Sequence, residues 1–174
     1  MYIIEQEVLF GYEDIIRYSL KLQEQYKTLV QVHSIGFSHD NREIIMIDIG
    51  KGSHSLIISG GVHGRENINP MVLLEMTEEY CKAFYGNNSM DSLNVVKLLK
   101  KFTLSIIPVL NPDGYEIARA GFDIVKDRNL RDLCKSKEIP SSLWKFNARG
   151  IDLNRNFKCK SFIPSRFMLN PISE

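Results

Sequence analysis

The sequence predicts an α/β fold, a mixed and largely parallel sheet flanked by helices. Two observations carry that prediction. The apolar runs SLIISGGV (55–62) and FTLSIIPVL (102–110) enclose a stretch of helical patterning, and strand, helix, strand in that order suggests parallel pairing through a crossover. Ahead of them, LVQVHSIGFS (29–38) and REIIMIDIG (42–50) flank His39-Asp40-Asn41, whose turn chemistry predicts a hairpin.

The elements can be justified in chain order. Between Tyr12 and Tyr26, Ile15, Tyr18, Leu22 and Tyr26 recur at helical spacing opposite Glu13, Arg17 and Glu24, as in an amphipathic helix. The hairpin follows. The run 55–62 ends in Gly60-Gly61, as a buried strand does on reaching a loop. Beyond the loop HGREN, Asn69 can cap, and Pro70 can enter, a helix running to about Tyr85. Gly86-Asn87-Asn88-Ser89 breaks it, and a shorter helix is expected over Asp91–Lys101. The strand 102–110 is closed by Asn111-Pro112-Asp113-Gly114, which reads as a tight turn. From Ala120 onward, polar and basic residues interleave with Leu133, Trp144 and Phe146, the texture of a long functional loop with a little helix. No repeat or composition shift intervenes, so residues 1–174 are expected to form a single domain.

Composition excludes some functions. With 22 basic against 21 acidic residues the net charge is +1, which gives no electrostatic case for nucleic acid or an anionic membrane. Cys81, Cys134 and Cys159 form no CxxC pair, so reduced thiols are expected. The N-terminus lacks a signal-peptide pattern and no apolar run approaches ~20 residues, so a cytoplasmic protein is expected.

Chemistry concentrates in two places. His63 and Glu66, three apart after an apolar strand, can converge on one cation, since imidazole nitrogen and carboxylate oxygen are both zinc ligands. Alone, HxxE is weak, and a loop histidine beside a solvated acid is the better explanation of it. The segment NARGIDLNRNF (147–157) packs two arginines and three asparagines into eleven residues. Arginine forks onto a carboxylate, which suits a substrate with a free C-terminus, and Asp152 could orient a metal-bound imidazole. A polar surface loop would show the same letters.

Order and wording narrow the choice. GGVHGREN (60–67), VLNPDGY (109–115) and NARGIDLNRNF (147–157) together resemble the zinc metallocarboxypeptidases of the carboxypeptidase A type. WKFNARG (144–150) is most similar to bacterial members that cleave γ-D-glutamyl-diamino-acid bonds, and Gly36-x-Ser38 with Arg42 resembles an upstream GxSxxxR turn. The similarity runs from about Tyr12 to Phe157.

The resemblance implies hydrolysis of C-terminal peptide or γ-D-glutamyl amide bonds, with cell-wall peptides among the substrates. It implies zinc held by His63 and Glu66, with Asp152 bonded to the ligand histidine. Asn154 and Arg155 match the pair that grips the terminal carboxylate, and Arg65 a residue lining a substrate subsite. Arg149 is the choice for the cation that polarises the scissile carbonyl, with Lys145 competing by spacing.

The pattern then stops. The family has a third ligand histidine, a catalytic glutamate and a mobile tyrosine downstream, whereas no histidine follows His63 and only Glu174 is acidic after Phe157. The expectation is an incomplete, C-terminally truncated zinc carboxypeptidase-like domain that binds zinc weakly or not at all, is inactive alone, and can self-associate through exposed edges. A non-catalytic carboxylate- or peptide-binding module and an inert remnant are the alternatives.

Overall fold

The computed structural model describes residues 11–90 and 92–156. They divide into two units. The first holds Ile44–Gly60, Ile68–Leu110 and the described residues up to Gly36; the second holds Phe37–Glu43, Gly61–Asn67 and those from Asn111 onward.

In the first unit, α1 (Tyr12–Gln25) starts at Gly11, whose N–H donates to Asp14 Oδ2 at 2.9 Å. Ile15 and Leu22 are fully buried and Tyr26 nearly so, but Tyr18 is only half-buried. Ser19 takes the fourth inward position, its hydroxyl satisfied by the Ile15 carbonyl at 2.7 Å. The expected hairpin strands are β1 (Val30–Phe37) and β2 (Glu43–Gly50), followed by β3 (His54–Ser59). α2 (Asn69–Tyr85) has Pro70 in its first turn, but its cap position falls on Ile68 and no side chain caps it. Asn69 lies inside the helix instead.

The next helix begins later than expected. Ser89–Met90 (β4) and Leu93–Asn94 (β5) pair as a small antiparallel ribbon, and Asn94 Oδ1 accepts from Lys97 N at 2.8 Å to cap α3 (Val95–Lys101). The Asn94 cap fixes the start where Asp91 had been expected to stand; Asp91 itself lies outside the described residues.

β6 (Phe102–Ile107) completes a four-stranded sheet of order β1-β2-β6-β3. β6 pairs antiparallel with β2 and parallel with β3, so the sheet is mixed. Ile45, Ile47 and Ile49 of β2 point inward by alternation, and β6 is buried continuously from Leu104 to Ile107. β3 departs from expectation. Its apolar letters read as a buried strand, yet Leu56 is 47% and Ile57 72% exposed, because β3 is the last strand of the described sheet and is paired on one side. Apolar composition records what a strand can bury, not what covers it.

In the second unit the Asn-Pro-Asp-Gly string is a helix start. Asn111 Oδ1 accepts from Gly114 N at 3.0 Å, Pro112 supplies a pre-set φ, and α4 runs Pro112–Ala120. Asp127 caps α5 (Arg128–Lys135), and short 3-10 turns cover Phe122–Ile124, Ser141–Leu143 and Leu153–Arg155. Ile117, Val125, Cys134, Trp144 and Phe146 form the core of this irregular segment. Trp144 is fully buried and meets Phe122 and Phe146 edge-on, each at 5.2 Å. Burial pushes the Cys134 thiol up to about 11, and that of Cys81 in the first unit up to about 12, so both are inert. Among the described residues no helix is long and apolar enough to cross a membrane.

A buried charge network braces the second unit. Arg42 donates to Asp40, to Asp113 Oδ1 at 2.9 Å and to the Ile124 carbonyl at 2.8 Å. Asp40 also accepts from the N–H groups of Lys126 and Asp127, and Asp113 from Ser38 Oγ at 2.7 Å.

Ile57→Lys should change unfolding free energy by less than about 0.5 kcal/mol, whereas Ile106→Ala should cost about 2–5 kcal/mol. An Ile57→Lys variant as destabilised as Ile106→Ala would contradict the exposed edge. Arg42→Ala should cost about 3–5 kcal/mol by leaving two buried carboxylates unpaired. Burial alone would raise the Asp40 pKa, but the Lys126 and Asp127 N–H groups and Arg42 hold it below the usual carboxylate range. A depressed pKa stabilises fully above the unfolded value, so Asp40's contribution should be lost only as pH falls below the ordinary range of about 4. Urea melts against pH should show that acid limb flattened in Asp40→Asn.

Candidate metal centre

The site is assembled within the second unit from two segments, residues 61–67 and residues 144–155. Asn111 joins them. Its Nδ2 donates to the carbonyls of Val62 and Phe146, both at 3.1 Å, and its own N–H donates to the Gly61 carbonyl at 3.0 Å. The segments then pass so closely that side chains are excluded. A Cβ on Gly64 would lie 2.1 Å from the Gly114 carbonyl oxygen and 2.8 Å from that of Trp144. A Cβ on Gly114 would lie 2.3 Å from the Phe146 carbonyl oxygen. The glycine after His63 is therefore required by contact.

The second segment is shaped by its own polar residues. Asn147 Oδ1 accepts from the N–H groups of Arg149 at 2.9 Å and Ile151 at 3.0 Å, closing a turn that Gly150 completes at φ 74°. With Trp144 and Phe146 buried, Lys145 between them is left free to face the site. Asp152 Oδ1 caps the last 3-10 turn through Asn154 N at 3.1 Å.

His63 stands at the centre. Its Nδ1 lies 2.8 Å from Glu66 Oε1 and its Nε2 lies 3.2 Å from Asp152 Oδ1. A neutral imidazole carries one N–H, yet two carboxylates face this ring, so the second contact requires a further proton or a cation. Asp152 is buried and Lys145 Nζ forms an ion pair with its Oδ2 at 2.7 Å. Burial would raise the Asp152 pKa, but Lys145 and then His63 hold it below the usual range, so it is ionised at neutral pH.

The structure thus brings together His63, Glu66, Asp152 and Lys145. Arg149 is half-buried, and no recorded bond ties its guanidinium to that group; Lys145 is the cation joined to it. Arg65 is exposed, as is Asn154, while Arg155 donates to the Asn154 carbonyl at 2.9 Å and does not stand as an open fork. Phe157 lies outside the described residues. What the motif reading missed is the part played by Asn111, taken there as a simple turn residue. The signal was the Asn-Pro pair, a cap followed by a pre-set first helical residue.

A model of the zinc carboxypeptidase family matches residues 15–168. The chain belongs to that family. Zinc carboxypeptidase relatives include the human carboxypeptidase N catalytic chain, 29% identical over 84% of this chain and 30% of that protein. Mouse carboxypeptidase A6 is 32% identical over 88% of this chain and 32% of its own length. The uncharacterised protein YqgT of Bacillus subtilis is 28% identical over 88% of this chain and 42% of its own. The structure of bovine thrombin-activatable fibrinolysis inhibitor in complex with tick carboxypeptidase inhibitor matches with a TM-score of 0.64 at 26% identity, over 88% of this chain and 44% of that one. The chain therefore spans about a third of the length of the first curated relatives it matches.

The family's zinc can be tested against the donors present. His63 Nδ1 and the Glu66 carboxylate converge at hydrogen-bond distance, and Nε2 is engaged by Asp152, which leaves the donor set of two corners of a zinc site. Among the described residues no group of three His, Cys, Asp or Glu side chains stands ready for a metal. The residues fit zinc as two of its ligands.

Gly64→Ala should cost about 1–3 kcal/mol by forcing the His63 segment away from Gly114. Denaturant melts followed by Trp144, the single tryptophan, will measure it, and an unchanged midpoint would refute the close approach.

Proposed function

We propose that this chain carries the His63–Glu66 side of a zinc metallocarboxypeptidase site acting on peptide or γ-D-glutamyl amide bonds next to a free C-terminal carboxylate, cell-wall peptides among them. The observation supporting this most directly is the convergence of His63 Nδ1 and Glu66, with Asp152 behind the ring. His63 and Glu66 would hold the zinc; bound there, it would polarise the scissile carbonyl and lower the pKa of water.

The chain's own residues do the rest. Asp152 keeps the proton on Nε2 and so presents the Nδ1 lone pair to the metal side. Lys145 balances the Asp152 charge at 2.7 Å, and its place in this cluster favours it over Arg149 for meeting the negative charge that develops on the carbonyl oxygen. Arg155 would exchange its bond to the Asn154 carbonyl for a charge-assisted fork on the substrate carboxylate, with Asn154 beside it and Arg65 lining the approach. The resemblance also implies a third ligand and a water-activating glutamate, which no described residue supplies.

Zinc calorimetry on this chain should give weak binding. Asp152→Asn should lower the affinity roughly 10–100-fold, and His63→Ala should abolish it. A tight, stoichiometric site indifferent to His63→Ala would overturn the assignment. Peptidase activity should be unmeasurable in the chain alone. A dipeptide acid should bind more tightly than its amide, with the difference lost in Arg155→Ala; equal binding of acid and amide would exclude the carboxylate fork.

A further inference from the structure

We infer that the first unit carries a second binding site, a pocket for a ligand bearing two or more phosphate groups, built on α3 and the start of β3. A cavity of about 700 Å³ opens there, lined by His54, Asn87, Asn94, Lys97, Lys100 and Lys101. Its volume falls within the usual range for small-molecule sites, and donor-bearing side chains surround it, although apolar atoms contribute as much of its surface as polar ones.

The three lysines are set together by helical spacing. Lys97, Lys100 and Lys101 stand at i, i+3 and i+4 of α3, a seven-residue helix with no acidic residue. Like charges at this spacing repel. Arg17, Lys82, Arg119 and Lys135 each have a carboxylate partner, Asp14, Glu78, Glu116 and Asp123 respectively. No ion pair joins Lys97, Lys100 or Lys101 to a described carboxylate, and no carboxylate lines the cavity. In a chain of net charge +1, this concentrates positive potential at one spot.

The neighbouring groups add donors of fixed position. Asn94 Oδ1 is occupied by Lys97 N, so what its amide retains for a ligand is the NH2 group. The His54 ring rests against Phe102 at 5.5 Å, with Ser53 Oγ 3.4 Å from its Nδ1, which leaves Nε2 for a ligand. Lys101 Nζ lies over the same Phe102 ring at 5.4 Å.

The donor types select among anions. Carboxylates are recognised best by the planar arginine fork, and the cavity has no arginine. Lysine ammoniums are point charges with three rotatable donors, matched to tetrahedral oxyanions carrying more than one charge. A single phosphate would leave most of the cavity empty and could not reach three ammoniums and an imidazole together. Val96 is the one apolar residue in the lining, and every other side chain there offers a polar group to the phosphates. The site is independent of the proposed zinc chemistry, since none of its residues belongs to that cluster.

Calorimetry of the zinc-free chain with inorganic tripolyphosphate, pyrophosphate, orthophosphate and citrate, at matched ionic strength, tests this. Tripolyphosphate should bind at submillimolar concentration and citrate roughly tenfold more weakly, a difference of one charged hydrogen bond. Lys97→Gln combined with Lys101→Gln should lower tripolyphosphate affinity at least roughly tenfold while leaving the unliganded melting temperature unchanged, because both side chains are exposed. His63→Ala should bind tripolyphosphate as the wild type does. Equal binding of citrate and tripolyphosphate, or undiminished binding in the double variant, would overturn the proposal, as would no binding at millimolar concentration. Loss in His63→Ala would move the anion to the metal centre.

Discussion

Asn111 uses every part of its side-chain amide, and the arrangement of the site depends on it. One oxygen caps α4; two N–H bonds reach the Val62 and Phe146 carbonyls; the backbone N–H reaches Gly61. The segment leading into His63, the helix behind it and the segment bearing Lys145 and Asp152 are thus held by one buried residue. Each carbonyl so held would cost about 1–3 kcal/mol if left buried without a partner. No other side chain offers an acceptor and two donors in a plane of this size, except glutamine, which is one methylene too long. Gly64 and Gly114 follow from the same constraint, because backbones drawn this close leave no room for a Cβ.

Polar groups line up on that frame. Lys145, Asp152, His63 and Glu66 form a chain of contacts in which the ring lies between two acids. Asp152 is also tied to the turn it caps, its Oδ1 accepting from the Asn154 N–H and its backbone carbonyl from the Arg155 N–H. Its carboxylate therefore cannot swing to become a ligand without releasing both the turn and Lys145. Two chemically equivalent acids differ in their surroundings: the Glu66 side chain is partly exposed beside Nδ1, and Asp152 is buried and bonded through both oxygens.

The sequence made some of this legible and not the rest, for physical reasons. The hairpin was readable because alternation in 42–50 and turn chemistry at Asp40-Asn41 agree, and Asn41 adopts the positive φ of 58° that such a turn needs. The His63–Glu66–Asp152 group was readable only through resemblance, since 89 residues separate His63 from Asp152 and no periodicity spans that distance. α4 was hidden because Asn-Pro-Asp-Gly serves turns and helix starts alike; what decides is the burial of Tyr115 and Ile117 after it. β3 was misjudged for the opposite reason. Its letters are those of a covered strand, and coverage belongs to the neighbours and not to the strand. Of the two candidate cations, Lys145 lies between the buried Trp144 and Phe146 and pairs with Asp152, a placement that spacing alone does not give.

The groups around His63 are held by contacts within the protein, and this bears on how a metal would bind. His63 is oriented by Asp152, Asp152 by Lys145 and its own turn, and the supporting segments by Asn111 and a packed Trp144 core. Binding a cation at Nδ1 would disturb only the contact with Glu66, whose carboxylate would turn from the ring to the ion. The ordering cost that makes many metal sites fold only on metal uptake is thus largely met by the protein itself. Preorganisation of this kind sets orientation and rate of capture, whereas the strength of binding still scales with the number of donors. With His63 and Glu66 as the two ligands proposed, affinity is what each further donor would add.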